Sequence, residues 1–500
     1  MECKANKVTR RGFVAAATSG LALSGLAAGA ALAEEASKAE APADASAAGD
    51  TYDAIVVGSG LAGLCTGVRL LEDGVKNVLL VTKEDTMATA GNSRIAGGQF
   101  LFPMEDTDEG VQKMVDSFNA KSQGKGDADL TQLVCANSKA ANDWLVSHGC
   151  SFTDPAQVQP YDVLAVSAAP GGGKGMPDLM DQMVSEFEAA GGQELVSAKL
   201  VDLVMDEATG AVSGVKVRTA DGVQELSAPQ VVIATGGYLA NKGFMQASCG
   251  AEGDQILVRG NKTLTGDGLL AVERAGGMRI GTVGIDRSLH IAPVPPTMPA
   301  LCPFSSAMYT VVVNSAGERF VDESLGYVAI GKSAYSQPGQ THALIFDSAA
   351  VEELDVLKSD LDKFGNFGVD VPQADTIEDL AAQIGVDPAT LTATIDEFNA
   401  AIDGDKTSGL AIDKTACARP VSTAPVYAFY PMVPGGTQCF GGAYVDADCQ
   451  ALEPDGTPIA GLHVVGEAIG GIFAYDYIGG ASLTRCVVSG MHVADGIAGK

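Results

Sequence analysis

The stretch that decides the fold reads Ala54-Ile55-Val56-Val57-Gly58-Ser59-Gly60-Leu61-Ala62-Gly63, and it continues through Leu64 to Leu71 and Val78 to Val81. An apolar strand leads into a G-x-G-x-x-G turn, then a segment with helical apolar spacing, then a second apolar strand. Gly58 permits the tight turn, Gly60 lets the backbone approach a pyrophosphate, and Gly63 lets the helix pack on the strand. The sequence therefore predicts a βαβ unit that binds a dinucleotide, with its phosphates at the helix N-terminus.

The end of the second strand departs from the usual pattern. An acidic residue there commonly bonds the ribose, whereas this sequence has Thr82 followed by Lys83. A hydroxyl also bonds a ribose, so we expect dinucleotide binding to be retained with Thr82 at this contact.

Composition limits the possible partners. The chain has 500 residues, 46% of them apolar, and a formal net charge of −30. That length accommodates two or three domains with well-buried cores. So acidic a surface repels nucleic acid and anionic lipid, and neither is expected as a partner.

The N-terminus predicts export. Thr9-Arg10-Arg11-Gly12-Phe13-Val14 precedes an Ala/Gly/Leu-rich run and the A-x-A site Ala31-Leu32-Ala33, which together indicate a twin-arginine signal peptide over residues 1–33. We expect its removal, the alternative being an uncleaved membrane anchor. Residues 34–50 are Ala/Glu-rich and predict a flexible linker. The mature protein is then periplasmic or on the cell surface, with no integral membrane span.

Cysteine usage predicts neither a disulfide framework nor a metal site. Nine cysteines remain after Cys3 is removed with the signal, with no C-x-x-C pair and no C-x-x-C-H haem site. We interpret them as mostly buried small hydrophobic residues.

Five further stretches carry a resemblance to a known family. They are Gly91 to Gly98, Val231 to Gly237, Thr265 to Gly268 with Ala275 to Gly277, Gly317 to Glu323, and Gly461 to Glu467 with Gly479 to Ser482. In this order they resemble the fumarate reductase and succinate dehydrogenase flavoprotein superfamily, which also contains urocanate reductases and 3-ketosteroid dehydrogenases. The resemblance implies an α/β fold: a Rossmann-like FAD-binding domain with an inserted β-meander, plus an α+β clamp domain.

The resemblance also implies the cofactor, FAD. The Gly91 loop lacks the histidine to which membrane-bound relatives attach FAD, so we expect noncovalent binding. Glu467 is expected to reach the ribityl chain, and the helix after Gly480 to face the isoalloxazine. The residues predicted to bind FAD are Gly58, Ser59, Gly60, Leu61, Ala62, Gly63, Thr82, Lys83, Gly91, Asn92, Ser93, Gly97, Gly98, Val201, Thr235, Gly236, Asp267, Glu467, Ala481, Ser482 and Leu483.

The domain organisation combines this resemblance with local patterns. We predict FAD-binding segments over 51–285 and 433–500, separated by a clamp domain over 286–432. Alternation from Val201 to Leu226 predicts the inserted meander. Within Val371 to Ala401, Thr376 and then Asp387-Pro388 each predict the start of a helix.

The active-site pattern of fumarate reductases is largely missing. By resemblance, Tyr327 stands where fumarate reductases have the proton-donor arginine, and Pro303 and Ser306 stand at the positions of its relay. Gln438 stands in place of the histidine that binds substrate, and Tyr477 in place of the arginine that binds substrate. Only His290 is retained. Neutral phenols do not compensate a buried dicarboxylate, so the sequence predicts a neutral substrate rather than fumarate.

Two tyrosines resemble the 3-ketosteroid dehydrogenase branch instead. There, the residues equivalent to Tyr327 and Tyr477 exchange a proton with substrate carbon and hydrogen-bond the ketone, the latter with help from an amide that here is Ala481. The register near Tyr477 also allows Tyr475 to take its role. The predicted catalytic set is Tyr327, Tyr477, Ala481, His290 and Gln438.

Several functions remain open at this point. The first is reduction of a neutral, enone-like small molecule, with electrons from a separate cytochrome or FMN protein, since the sequence has no haem motif and no recognisable FMN module. The others are a ketosteroid-type dehydrogenase, a carboxylate reductase that uses Arg287 with His290, and a flavin-binding subunit without turnover.

Overall fold

The computed structural model describes residues 51–87, 91–158, 161–169, 175–281, 284–285, 287–291, 301–304 and 306–500. The predicted signal peptide and linker lie outside these residues, as does Asp286, the first residue of the predicted clamp domain.

The described residues form twenty-two strands and twelve α-helices. The strands are β1 Ala54–Val57, β2 Val78–Val81, β3 Gln99–Pro103, β4 Ala156–Gln157, β5 Val163–Ser167, β6 Gln193–Leu195, β7 Lys199–Met205, β8 Val212–Thr219, β9 Gly222–Ser227, β10 Val231–Ile233, β11 Leu257–Val258, β12 Arg279–Ile280, β13 Arg287–His290, β14 Val311–Asn314, β15 His342–Asp347, β16 Gln373–Ala374, β17 Ile402–Asp403, β18 Lys406–Thr407, β19 Val426–Gly436, β20 Gly442–Ala443, β21 Gln450–Leu452 and β22 Pro458–Val464. The helices are α1 Leu61–Glu72, α2 Asp108–Ser122, α3 Ala128–Ser147, α4 Met176–Ala189, α5 Lys242–Cys249, α6 Asp267–Arg274, α7 Tyr327–Tyr335, α8 Ser348–Glu353, α9 Asp355–Asn366, α10 Ile377–Ile384, α11 Pro388–Ala400 and α12 Ala481–Ala498.

A six-stranded sheet forms the centre of the nucleotide-binding part. Its order is β21-β22-β10-β1-β2-β6, parallel except for β21. Val56 of β1 pairs with Val232 of β10 and with Leu80 of β2. Strands β1, β2 and β10 are apolar and buried throughout, which is typical of parallel strands covered on both faces. The predicted βαβ unit and the α/β fold class are confirmed.

The inserted meander consists of β7, β8 and β9, paired antiparallel in sequence order. Val215 at its centre pairs with Leu203 on one side and Leu226 on the other. This element matches the alternation predicted from Val201 to Leu226.

A second, mainly antiparallel sheet is built around β19, which pairs with β11, β13, β15 and β16, while β14 pairs with β15. The Thr376 hydroxyl accepts from the Asp379 amide at 3.1 Å, and the Asp387 carboxylate accepts from the Thr390 amide at 2.8 Å. Both predicted helix starts, for α10 and α11, are therefore confirmed.

Apolar packing supports the proposed clamp domain. Two buried clusters draw all their core members from residues 301 to 432, and a third, larger cluster draws almost all of its members from the remainder. Strand β19 nevertheless runs past the predicted boundary at 432 to Gly436. The boundaries stay a proposal.

Three further observations concern the described residues only. No helix among them is long and apolar enough to cross a membrane. No group of three or more His, Cys, Asp or Glu side chains there could hold a metal ion. All nine cysteines in these ranges are free thiols, and seven are buried, which confirms the expectation for their packing.

Candidate active site

A cleft lies at the carboxyl ends of β1, β2 and β10, where the Gly58 to Gly63 turn crosses it. A Cβ on Gly58 would lie 2.3 Å from the Ala234 carbonyl oxygen, and one on Gly63 would lie 1.8 Å from the Gly58 carbonyl oxygen. A Cβ on Gly60, in contrast, would meet only the Ser93 hydroxyl at 3.9 Å. Gly58 and Gly63 therefore allow close backbone packing, and Gly60 opens the turn toward the cleft, as the sequence predicts.

Two orphaned hydroxyls show that the cleft fits a polar ligand. The side-chain oxygens of Ser59 and Thr235 are buried and find no hydrogen-bond partner among the described residues, and both residues line the cleft. Buried polar atoms without partners are costly, and the phosphate and hydroxyl oxygens of FAD supply such partners. The predicted cofactor residues that line this cleft are Gly58, Ser59, Gly60, Leu61, Ala62, Thr82, Lys83, Gly91, Asn92, Ser93, Thr235, Gly236, Asp267 and Glu467.

At the ribose end, Lys83 is tied to a second segment. Its ammonium lies 2.6 Å from the Asp267 carboxylate and 3.1 Å from the Thr265 hydroxyl. Burial alone would raise the pKa of Asp267, but Lys83 and Lys199 outweigh it and hold this pKa below its usual value. A carboxylate thus reaches this end of the cleft from α6 instead of from β2.

Val201, predicted to bind FAD, does not line the nucleotide cleft. Leu200 and Ala198 line the cleft, whereas Val201 lies at a separate surface depression. The Val201 carbonyl accepts from the Arg274 guanidinium at 2.6 Å. The pairing of β7 with β8 shifts register between Leu200 and Asp202, so Val201 lies at an irregularity of the strand, and its contact with FAD stays a prediction.

Glu467 connects the nucleotide cleft to a second cavity, which it also lines together with Asn92. One Glu467 carboxylate oxygen accepts from the Cys439 amide at 2.9 Å, and the other from the Asn92 side-chain amide at 3.1 Å. These bonds fix the carboxylate between the two spaces, and its contact with the ribityl chain stays a prediction.

The second cavity has a volume of about 640 Å³. It is lined by the predicted residues Gly97, Gly98, Tyr327, Gln438, Tyr477, Ser482 and Leu483. The Ser482 hydroxyl hydrogen-bonds the Gln438 side chain. The two tyrosines and Gln438, which were chosen by motif spacing, therefore lie in one cavity. Their chemical roles stay predictions. We call this space the active-site cavity.

Three arginines also line the active-site cavity, Arg259, Arg287 and Arg485. Of these, only Arg287 was named from the sequence, with His290, in the carboxylate-reductase alternative. Arg287 Nη2 donates to the Tyr477 hydroxyl at 2.7 Å, and its guanidinium carbon lies 4.6 Å from the centroid of the Tyr327 ring. Arg259 lies 5.1 Å from the ring of Phe304, which packs edge-on against Tyr327. The active-site cavity therefore contains cations beside the neutral residues on which the neutral-substrate prediction rests, and the charge of the substrate stays a prediction.

The close packing of α7 on β13 brings Tyr327 and Arg287 together. Gly331 of α7 faces the β13 backbone, where a Cβ would lie 2.2 Å from the Arg287 carbonyl oxygen. Strand β13 is fully buried, so Arg287 is a buried charge, and buried charges commonly have a functional reason.

His290 is not among the described residues that line the active-site cavity. Its Nε2 lies 2.9 Å from the Tyr430 carbonyl oxygen, and its ring packs edge-on against Phe364. Positions 287 and 290 lie on opposite faces of a strand, so β13 cannot turn both Arg287 and His290 into one cavity. Burial lowers the pKa of His290 and favours the neutral ring. The predicted site role of His290 is not supported.

Two details near Tyr477 refine the predictions. The Ala481 amide donates to the Ile478 carbonyl at 3.0 Å, so it is already engaged within the chain, and Ala481 lines neither the cleft nor the active-site cavity. Tyr475 is 44% exposed, and its hydroxyl accepts from Lys125 at 2.7 Å. The register that uses Tyr477 is therefore the one that reaches the active-site cavity.

The predicted relay positions hold no cation. The Ser306 hydroxyl donates to the Asp360 carboxylate at 2.5 Å. Burial raises the pKa of Asp360, with the Ser306 hydrogen bond and Lys363 opposing it. Pro303 has no proton to pass on, so the arginine relay of fumarate reductases is absent at these positions.

The fold and the two joined cavities define a flavin-dependent oxidoreductase. A family model described as "FAD binding domain" matches residues 53–483, and the chain belongs to this family. The fumarate reductase (cytochrome) of Shewanella frigidimarina is 26% identical over 463 residues, covering 89% of this chain and 77% of that protein. Urocanate reductase of Eggerthella lenta is 25% identical over 461 residues, covering 88% and 73%.

A solved structure extends the likeness in fold. 3-Ketosteroid-delta4-(5alpha)-dehydrogenase from Rhodococcus jostii matches with a TM-score of 0.70 at 21% identity, covering 90% of this chain and 97% of that chain. The predicted superfamily is thus confirmed, the cofactor is FAD, and the protein is an FAD-dependent oxidoreductase that acts on carbon–carbon double bonds.

Proposed function

We propose that the protein reduces the double bond of a small conjugated acid, whose carboxylate is held by Arg287 and Tyr477. The observation that carries this proposal is the 2.7 Å hydrogen bond from Arg287 to the Tyr477 hydroxyl, beside Tyr327 in one cavity. A guanidinium is a strong, charge-assisted partner for a carboxylate. The apolar wall formed by Phe304 and the two tyrosine rings suits an aromatic or apolar group on the β-carbon.

Arg287 and Tyr477 have a joint role in this proposal. Because the Tyr477 oxygen accepts from Arg287, its own hydrogen is left to donate elsewhere. Bound FAD supplies hydride from N5 to the β-carbon of the substrate. Negative charge then develops on the substrate carbonyl oxygens, where Arg287 and the Tyr477 hydroxyl stabilise it.

Tyr327 is proposed as the proton donor to the α-carbon. A phenol keeps its proton at neutral pH and can donate it as general acid. Phe304 packs edge-on at 5.1 Å and the Arg287 guanidinium lies 4.6 Å from the ring centroid, so the ring is fixed from two sides.

A neutral enone is the second candidate substrate. It is supported by the neutral side chains at the substrate-binding positions of fumarate reductases, Gln438 and Tyr477, both of which line the active-site cavity. The same site run in the oxidative direction would be a ketosteroid-type dehydrogenase, since hydride transfer to flavin is reversible.

The test is the reoxidation rate of dye-reduced protein with matched substrates. We would compare cinnamate with its methyl ester, then fumarate, urocanate, a butenolide and a 3-ketosteroid. Faster reoxidation by cinnamate than by its ester supports the acid proposal. Reoxidation by the ester or the ketosteroid alone would contradict it and favour the enone.

We further propose that residues 1–33 direct export, that FAD is noncovalent and that electrons come from a separate redox protein. The support is the twin arginine Arg10-Arg11 and the absence of a haem motif from this sequence. Replacing both arginines with lysine should retain the protein in the cytoplasm, measured by cell fractionation against the parent. Acid precipitation should release the flavin into the supernatant, and flavin left in the pellet would contradict noncovalent binding.

A further inference from the structure

Arg485 is a buried cation without a visible counter-ion. It lies in the first turns of α12 and is 1% exposed. Its three guanidinium nitrogens find no hydrogen-bond partner among the described residues, and no carboxylate in those ranges forms an ion pair with it. Neither the family comparison nor the proposed substrate chemistry assigns it a role.

The surroundings of Arg485 locate it between the two halves of the site. It lines the active-site cavity with Ser482, Leu483 and Cys486, and its guanidinium carbon lies 4.7 Å from the centroid of the Phe473 ring. Burial lowers the pKa of Arg485, and Glu467 and Tyr477 are among the nearby groups that oppose this shift. The Glu467 carboxylate is already engaged by Cys439 and Asn92, so it does not neutralise Arg485 by contact.

Holding a guanidinium away from water without a paired anion costs several kcal/mol. A folded protein retains such a group where a ligand supplies the missing charge. Cys486, next to Arg485 in α12, lines both the nucleotide cleft and the active-site cavity, so Arg485 lies where the two spaces meet and where the ring of bound FAD would pass between them.

We infer that Arg485 is the buried counter-ion for the negative charge that two-electron reduction places on the flavin. Two electrons and one proton, taken up at N5 from the electron donor and solvent, leave one negative charge on the N1 and C2-carbonyl side of the ring. A fixed positive charge nearby stabilises that product. Arg485 therefore raises the midpoint potential of the bound FAD, which suits it to accept electrons from a donor of moderate potential.

The test uses the purified FAD-loaded protein and two measurements that need no substrate. One is the midpoint potential, obtained by equilibration with a reference dye. The other is the affinity for sulfite, which adds to N5 and leaves the same negative charge on the ring. Arg485→Met should lower the equilibrium constant for reduction at least tenfold, about 30 mV for a two-electron couple, and weaken sulfite binding to a similar degree.

Arg485→Lys keeps the charge and should remain closer to the parent than Arg485→Gln, which removes it. Arg218→Gln is the matched control, because it removes one positive charge from an exposed position on β8. It should change neither measurement.

Three outcomes would overturn the inference. One is a neutral variant that holds FAD with the parent potential and sulfite affinity, and another is equal values for the Lys and Gln variants. The third needs no variant: a parent protein that forms no sulfite adduct even at high sulfite concentration. None of these results depends on whether the substrate is an acid or an enone, so a wrong substrate proposal leaves the test intact.

Discussion

Tyr327 is the residue at which the proposed reduction is most directly tested. Tyr327→Phe removes the phenolic proton and keeps the ring that contacts Phe304 and Arg287. We expect substrate reduction to fall by about 10²- to 10⁴-fold, the usual contribution of general acid catalysis, while FAD content is unchanged. Tyr335→Phe, at the other end of α7, is the control, because the Tyr335 hydroxyl bonds the Cys249 carbonyl away from the cavity. Reduction at the parent rate would rule out Tyr327 as donor.

Arg287 separates the two candidate substrates. Arg287→Met should lower kcat/KM for an unsaturated acid by about 10²-fold, near 2.7 kcal/mol, and affect the matched methyl ester much less. Arg287→Lys should recover part of the loss, since it keeps the charge and loses the planar fork. An equal loss for acid and ester would mean that Arg287 acts through Tyr477 and not on a carboxylate.

The residues that motif spacing placed differ in one physical respect from Arg287 and His290, which it named but could not orient. Tyr327, Gln438 and Tyr477 lie at short fixed offsets from glycine-containing motifs, so local geometry determines where they point. Arg287 and His290 lie in one strand, where a shift of a single residue reverses the face. Pairing with β19 sets which face of β13 each residue occupies. Strand β19 is distant in sequence, and no local pattern in β13 indicates this pairing.

Among the elements, the first βαβ unit depends most on one close contact. Gly63→Ala would place a Cβ 1.8 Å from the Gly58 carbonyl oxygen, so α1 must move away from the turn that faces the phosphates. We expect loss of FAD binding, measured as the flavin-to-protein absorbance ratio of purified protein. Gly365→Ala in α9 is the control, because its Cβ meets nothing within 4 Å. Parent-level FAD in Gly63→Ala would contradict this account.

The helix cap of α10 gives a stability prediction at the same scale. Thr376→Ala removes the hydroxyl that accepts from the Asp379 amide, and we expect a loss of about 1 kcal/mol in the free energy of unfolding. Thr376→Ser keeps an acceptor and should lose less. Urea denaturation measures both, and an Ala variant as stable as the parent would show that the cap contributes nothing.

Elements with strong local signals were predictable. Strands β1 and β2, the meander and the starts of α10 and α11 all have apolar periodicity with turn or cap residues at their ends. The sheet around β19 was not predictable, because the five other strands of this sheet come from separate segments and no pattern within one strand specifies a partner in another.

At the scale of the whole molecule, buried histidines should set the response to acid. Burial lowers the pKa of His342 and His463 from 6.5 to about 4. Between pH 6.5 and pH 4 these histidines bind protons in the unfolded chain but not in the folded protein. Their contribution to the free energy of unfolding is therefore fully present above about pH 6.5 and is lost as the pH falls toward 4. Each histidine should contribute about 2 kcal/mol of this loss between pH 7 and pH 5.

The matched variants are His342→Gln and His463→Gln. Each should lose less stability than the parent between pH 7 and pH 5, and the double variant the least, as measured by urea denaturation at both pH values. If neither variant is less sensitive to pH than the parent, these two histidines do not account for its acid sensitivity.

Strand β19 positions one partner of the contact between Arg287 and Tyr477. Gly435 pairs with Arg287 on one side and with Leu257 on the other, so Arg287 belongs to the hydrogen-bonded ladder of the sheet built around β19. Tyr477 lies outside that ladder, in the segment before α12. Any motion that swings this sheet away from α12 must therefore break the bond between Arg287 and Tyr477. The contact that orients the substrate would then also be the contact that must break before the product leaves.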